Sequence, residues 1–490
     1  MEFAQGIFPT FLGKTIREVK PVQSDFQKME ENLESMSDAA IRKAFEGAAD
    51  FVARPIEAEG QTVYCYFIDG LVMSSMISDF VIRPILMGQP IVNAVTKPVP
   101  DLDTLILQLV NGFSILRFPD RVIACETRTG DKRDPSPPTV ENTVKGAKDA
   151  FTETIRVNTS LIRRHLRSPK LRLKESQVGR RSLTNVSVVY LEDLTDPELV
   201  QRVVNRLDEI DIDGLISPAA AEEYLTGSRK TAFPMTQFTE RADQFCRALL
   251  AGRVGVLVDG LPLGYLLPVD LGMLMESPED RGTDYVSATF VRVLRYLALI
   301  VSLLLPALYV AISTFHQEMI PTQLLEAIIE SKREVPFPTV LEVLGLLIAF
   351  ELLQEAGIHL PQSIGQTVSI IGGLVVGTAA VEARLISPAA LIVVAVAGVC
   401  GFTLPGRDFS DALRIWRIVL TLCAALLGLF GVTAGALALL IHLASLESCG
   451  RPYLAPFSSA RLGGALLRRR LVQDKLRDRT LRPQDLRNQK

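Results

Sequence analysis

Between residues 294 and 446 the chain gives up its charged composition for a series of long apolar runs, separated by prolines, glycines and a few placed charges. The first run, 294–315 (LRYLALIVSLLLPALYVAISTF), has the length of about 20 residues that a helix needs to cross ~30 Å of hydrocarbon. Its one basic residue, Arg295, stands at the start, where a long stem can carry the charge to an interface. Such a chain is expected to be a membrane protein with a large head outside the bilayer.

Composition agrees once it is divided: 48% hydrophobic and 22% charged residues over 490 positions average two unlike polypeptides. The expected fold is a two-lobed α/β (α+β) soluble N-terminal head followed by an all-α polytopic membrane domain. Its expected divisions are an N-terminal tail with the first lobe (1–130), a second lobe (140–280), a transmembrane domain of four to six spans (286–449) and a basic tail (450–490). The N-terminus has no basic stretch followed by an apolar one, so no signal peptide is expected and the head should stay on the side where it is made. Six scattered cysteines without a CxxC pair read as reduced, buried small hydrophobes, with no disulfide or metal role.

In the head, residues 24–51 read as a polar helix, and the run 63–68 reads as a strand closed by Asp69 and Gly70. A second strand is expected at 121–125, before the charged, proline-rich 127–139 that separates the lobes. The second lobe is expected to open with a helix over 143–167 and continue with strands at 171–177 and 186–191. A helix capped by Asp196 with Pro197 in its first turn follows, then strands at 254–258 and 264–267. Strands alternating with helices argue for compact α/β or α+β lobes. There is no phosphate loop and no dinucleotide fingerprint, and His165, His316, His359 and His442 are far apart, so neither enzyme activity nor a cofactor is expected. The basic cluster Arg163, Arg164, His165, Arg167, Lys170, Arg172 and Lys174 suits an anionic partner, but is read here as a solvated helix end.

Four further apolar stretches follow the first. The second, 340–358, carries Glu342, Glu351 and Glu355, the last two one helical turn apart on one face. Carboxylates at membrane depth are costly, so this stretch is either an interfacial helix or a span that turns its acids to a partner or to water. The third, 364–381, places Gly365, Ser369, Gly373 and Gly377 at four-residue intervals, a small-residue face that lets helices pack closely. Around a symmetry axis such packing leaves a narrow conduit, bordered by Val368 and Ile371 on neighbouring faces and given cation preference by Glu351 and Glu355.

The fourth stretch runs 386–404. The fifth, 415–446, would be ~48 Å long as one helix, too long for a simple span unless Gly428, Gly431 and Gly435 break it. Basic residues of the tail, among them Arg468, Arg469 and Arg470, together with Arg281, Arg292 and Arg295, put tail and head on the cytoplasmic side and require an even number of crossings. Four crossings follow if the second stretch is re-entrant, six if the fifth is a broken hairpin. Arg407, Arg414 and Arg417 favour a cytoplasmic loop before the fifth stretch, and hence six.

Several motifs carry a family resemblance: the run HQEMIPT from His316 to Thr322, then Pro336, Phe337 and Pro338, Phe350 with Glu351, EAGI from Glu355 to Ile358, Leu360 with Pro361, Ile364 to Gln366, and Pro388. The head adds AFTE from Ala150, Asn158, LIRR from Leu161, and Thr239, Glu240 and Arg241; PYLAPF from Pro452 follows the last stretch. In these the chain resembles the A subunits of GerA-type spore germinant receptors across nearly its whole length. It departs in Ala242, where the family often has proline, and in an arginine-rich tail. The resemblance implies a multi-pass protein of the spore inner membrane that joins a transporter-like B subunit and a lipoprotein C subunit. It further implies that copies oligomerise into an ion channel opened by a nutrient held on the B subunit, with no nucleic acid involved. The alternatives are an accessory ion channel of the SpoVAF type, a secondary transporter, for which no inverted repeat is found, and a membrane-anchored enzyme.

Overall fold

The computed structural model describes residues 33–58, 60–91, 96–128, 138, 140–141, 143–227, 231–359, 377–455 and 457. These form two compact units, one reaching Lys132 and one formed almost entirely by the chain from Arg133 onward.

The first unit contains helix α1 (Asp38–Ala44), strands β1 (Phe51–Ala58) and β2 (Gln61–Ile68), a helical run over 74–86, β3 (Thr96–Pro98), α2 (Leu102–Val110), β4 (Phe113–Arg117) and β5 (Val122–Glu126). The strands make one fully antiparallel sheet in the order β1-β2-β4-β5-β3. Alternation with period two sorts its side chains to opposite faces. Tyr66, Ile68, Phe113, Ile115 and Ala124 meet Leu105 and Leu109 of α2 on one face. Val63, Cys65, Leu116 and Cys125 meet Val81 and Ile85 of the helical run on the other. Asp101 starts α2 by accepting from the Thr104 N–H at 2.7 Å, and Gly112, at φ 84°, turns the chain into β4.

The second unit opens with α3 (Ile155–His165), β6 (Leu171–Val178), β7 (Thr184–Leu191), α4 (Pro197–Asp208), α5 (Pro218–Thr226), β8 (Gln237–Thr239), α6 (Ala242–Leu250), β9 (Val254–Val258) and β10 (Gly264–Leu267). Its sheet is again fully antiparallel, in the order β6-β7-β9-β10-β8. The connectivity repeats that of the first sheet: a helix, two strands, a helical stretch, an edge strand, a helix closed by a left-handed glycine (Gly252, φ 94°) and two strands. The sequence reading did not contain this correspondence. It also expected a helix from residue 143, whereas the helix begins at Ile155.

The rest of the unit is helical: α7 (Tyr285–Phe315), α8 (Thr322–Lys332), α9 (Thr339–His359), α10 (Pro388–Phe402) and α11 (Arg407–Ser445). Within the described residues, α7 and α11 are long and apolar enough to cross a membrane, and α10 is a shorter apolar helix. α11 is two arms. Gly428 sits at φ 62° and ψ −141°, a conformation open in practice to glycine alone. There the chain doubles back, because Trp416 and His442 bring their ring centroids to 5.8 Å where a straight helix would hold them ~39 Å apart. A Cβ on Gly435 would fall 2.7 Å from Leu420 of the first arm, which confirms the antiparallel pairing. The break allowed for in the fifth stretch is therefore at Gly428, with Gly431 and Gly435 lining the contact between the arms.

One core joins these helices to the second sheet lobe: Met235, Val269 and Met275 pack with Leu303, Ala307, Val343, Leu347, Val394, Leu413 and Leu439. Phe233 lies about 6 Å, centroid to centroid, from Phe409 at the start of the first arm and from His442 near the end of the second. Both ends of the hairpin thus meet the same lobe. Its turn lies at the other end of α7, where a Cβ on Gly428 would meet Phe315 and His316.

Candidate functional site

The candidate site is the set of charged side chains that the helices hold among apolar neighbours. It begins where the lobe passes into α7. Arg295 grips Asp280 with both nitrogens, at 2.6 and 2.7 Å, and Arg292 reaches Glu276 at 3.1 Å while Arg247 binds the other Glu276 oxygen. Burial by itself would raise the Glu276 acid, but Arg247, Arg292 and Arg281 prevail and hold it at about 2. Arg292 and Arg295, taken from sequence as markers of a membrane face, are 7% and 8% exposed and spent in these pairs.

Deeper in the helices, Arg414 of the first arm binds Glu351 of α9 at 2.9 Å and also pairs with Asp411. One turn below, Arg417 is 2% exposed and donates to Ser302 of α7. A Cβ on Gly401 of α10 would lie 3.1 Å from the Arg417 guanidinium and 3.2 Å from the Ser302 hydroxyl, so the bare backbone there is what admits the arginine. The Arg417 Nε finds no hydrogen-bond partner among the described residues. At the opposite end of α9, Glu342, 2% exposed, accepts from the Ser387 N–H at 3.0 Å and from its hydroxyl at 2.7 Å, with the Lys332 ammonium 3.9 Å away.

Glu351 and Glu355 do share a face of α9, but they differ in surroundings: Glu351 is half-buried in the pair with Arg414, and Glu355 is exposed. The first half of α9 is packed, with Val343, Leu346 and Leu347 in the common core, whereas Ile348 and Leu352 are more than half exposed. Gly377 is buried against Leu391 of α10, where a Cβ would meet that side chain at 3.6 Å, an ordinary contact. Gly365, Val368, Ser369, Ile371 and Gly373 lie outside the described residues.

Two groups in the head have roles that sequence reasoning did not assign. Arg241 is 1% exposed and donates to Asp243 at 3.0 and 2.9 Å, to Thr143 at 2.9 Å and to the carbonyls of Glu141 and Ala147 at 3.2 and 2.9 Å. Its neighbour Glu240 accepts from the N–H groups of Val140 and Glu141, so Glu240 and Arg241 together strap residues 140–147 to the lobe. This strap is why the expected helix does not start at 143. Two members of the basic cluster are structural, Arg163, 1% exposed, capping the Leu171 carbonyl and Arg172, 5% exposed, binding Glu192 at 2.7 Å, whereas Arg164, His165, Arg167, Lys170 and Lys174 are exposed, as a solvated helix end requires. His165 bonds Asp149 at 2.6 Å, and that bond raises the imidazole above its usual range.

Residues 39–484 match the Bacillus/Clostridium GerA spore germination protein family. Among individual relatives, the spore germination protein KA of Bacillus subtilis is 34% identical over 89% of this chain and 82% of its own length. Spore germination protein A1 of the same organism is 36% identical over 74% of this chain and 75% of its own. An uncharacterised membrane protein of B. subtilis, YfkQ, is 34% identical over 88% of this chain and 86% of its own. The crystal structure of the N-terminal domain of the A subunit of the Bacillus megaterium spore germinant receptor GerK3 aligns with 48% of this chain and 94% of that one. It does so at 24% identity and a TM-score of 0.37, too low to establish a shared fold. By the extent of the family match and by these identities, the chain belongs to the GerA family of spore germination proteins.

Proposed function

We propose that this chain is the membrane-embedded subunit of a nutrient germinant receptor in the spore inner membrane, that it acts with B and C partner subunits, and that its copies assemble into a cation channel. Family membership and relatives called spore germination proteins support the germination role. One observation carries the channel reading: Glu351, Arg414 and Arg417 are kept inside apolar helices, where charge is costly and marks paths for ions or substrates. Glu351 and Glu355 are the acids assigned to that path, with Val368 and Ile371 at its wall and Gly365, Ser369 and Gly373 at the contacts between copies, while Gly377 packs within the chain against Leu391.

A six-span arrangement is supported by the hairpin, since both ends of α11 return to the lobe. Helices α7, α9, α10 and the two arms supply five spans, and one more between α9 and α10 leaves head and tail together in the cytoplasm. The test has two parts. Changing Glu351 and Glu355 to Gln should slow ion release from spores that contain normal amounts of the protein; unchanged release removes these acids from the path. A membrane-impermeant thiol reagent should label a cysteine at Glu326, exposed on α8 beyond the far end of α7, in intact cells, and not one at Asp211 in the head. Labelling at Asp211 overturns the orientation.

A further inference from the structure

Two apolar surfaces lie toward the end of α7 that meets the hairpin turn. Residues 422–432 (LCAALLGLFGV) contain no charged, amide or hydroxyl side chain, and Leu426, Leu427 and Phe430 are 77%, 57% and 71% exposed. A turn facing water is ordinarily built with Asn, Asp, Ser or Pro, whose side chains or ring suit a solvated reversal; here only glycine is present. The other surface is α8. Its apolar residues Leu324, Leu325, Ile328 and Ile329 fall on one arc of the helix, opposite Gln323, Glu326 and Glu330. Leu325 and Ile328 are half-buried, whereas Leu324 and Ile329 remain more than half exposed. Phe315, which borders Gly428, and Met319 extend the same apolar surface.

Length points the same way. The second arm, 429–445, reaches ~25 Å, less than the ~30 Å of a hydrocarbon core. Exposed apolar residues continue along the outward sides of both arms (Val419 and Leu422, Leu437 and Ile441) and of α7 (Leu297 and Ile300). A docking patch for a protein is closed by a polar rim, and this surface runs on into helices apolar enough to cross a membrane.

We infer that this end of the molecule is seated in a phospholipid leaflet. The two arms count as spans that stop in the far leaflet, their turn ending among its acyl chains without emerging into water, and α8 lies flat in the headgroup layer with Leu324 and Ile329 dipped into the lipid and Glu326 and Glu330 toward water. The inference rests on the membrane reading above and adds which segments never reach solvent.

The single tryptophan, Trp416, supplies the test. In a Trp416→Phe background of the full chain, reconstituted in phosphatidylcholine–phosphatidylglycerol vesicles, tryptophan is placed by Leu427→Trp, Ile329→Trp, Glu326→Trp and, as a control on mid-α7, Leu297→Trp. Phospholipid brominated in its acyl chains should quench the probes at positions 427 and 329, and aqueous iodide should quench them roughly fivefold less than the probe at 326. Iodide quenching at 427 equal to that at 326 overturns the inference, as does a 427 probe that neither quencher reaches, because protein then covers the turn. No bromolipid quenching at position 297 removes the membrane reading itself, a separate failure. Should the Trp416→Phe chain not accumulate, bimane attached to Leu427→Cys and Ile329→Cys gives the same two readings.

Discussion

Arg241 in the sheet lobe and Arg417 in the helices are almost equally buried, at 1% and 2% exposure, and they are treated in opposite ways. Arg241 meets one carboxylate, one hydroxyl and two backbone carbonyls, so its guanidinium is fully used in fixing a strap. Arg417 donates to a single serine, and its Nε is without a partner among the described residues. A buried charge that is completely paired serves a rigid frame, whereas one held with unmet capacity is costly to a static structure and is kept for another use. The lobe is built as a frame, and the helices carry the charge that the proposed function needs.

The largest effect should come from removing the frame's hub. Arg241→Ala takes the guanidinium away from the Asp243 carboxylate and from the carbonyls of Glu141 and Ala147, at a cost on the order of 3–5 kcal/mol. A thermal melt of the purified chain should show it, and an unchanged midpoint would erase the contrast. Next comes Gly428→Ala. The backbone conformation there costs an L-residue about 1–3 kcal/mol, to which crowding by Phe315 and His316 is added. A disulfide between Cys423 and Gly435→Cys, whose Cβ would lie 3.7 Å from that of Cys423, should form in the otherwise unchanged chain and form poorly once Gly428→Ala is added.

Arg417→Met sharpens the comparison from the other side. A buried ion replaced by an apolar side chain of like volume is often neutral or stabilising, so the melting midpoint should hold within about 1 kcal/mol while ion release changes. If Arg417→Met unfolds as Arg241→Ala does, the two arginines are equivalent and the comparison fails. The smallest effect concerns Glu222 on α5. Burial, followed by the nearby charge of Asp408, pushes this acid up to about 7. Its folded value is above its unfolded one, so the stability linked to it is complete below about 4.5 and is lost as pH rises through 7. Melting midpoints of the parent and Glu222→Gln, taken between pH 5 and 8.5, should draw apart steadily up to about pH 7 and run parallel above it.

Strands β9 and β10 were legible to the residue, because their apolar runs are bounded by Asp259 and Gly260, and Gly260 takes the left-handed turn that the dipeptide signals. The possible break in the fifth stretch was legible for a like reason: length and glycine content are local. What was not legible depends on partners far away in sequence. Residues 143–154 look helical until Arg241, about 100 positions later, claims their neighbourhood. Glu351 was singled out, but its partner Arg414 was read only as a sign of orientation. Arg163 and Arg172 looked like solvent-facing charges because pattern alone does not reveal the Leu171 carbonyl and Glu192 that they bind. The matching order of the two sheets escaped notice because the likeness lies in connectivity and not in shared residues.

The hairpin of α11 also has a mechanical consequence. Beyond its second arm the chain is pinned at once to the lobe, the Ser448 hydroxyl bonding the Met235 carbonyl and the Val269 N–H, and the Leu271 N–H bonding the Tyr453 carbonyl. The first arm is held at the same end through Phe409 and Phe233. Both prongs are clamped in one vice, so the lobe cannot push one past the other like a piston; it can only swing the pair. Over ~25 Å of helix a tilt of ~5° at the clamp carries the turn ~2 Å sideways. A lobe that barely moves would therefore deliver its displacement at Gly428, beside the end of α7.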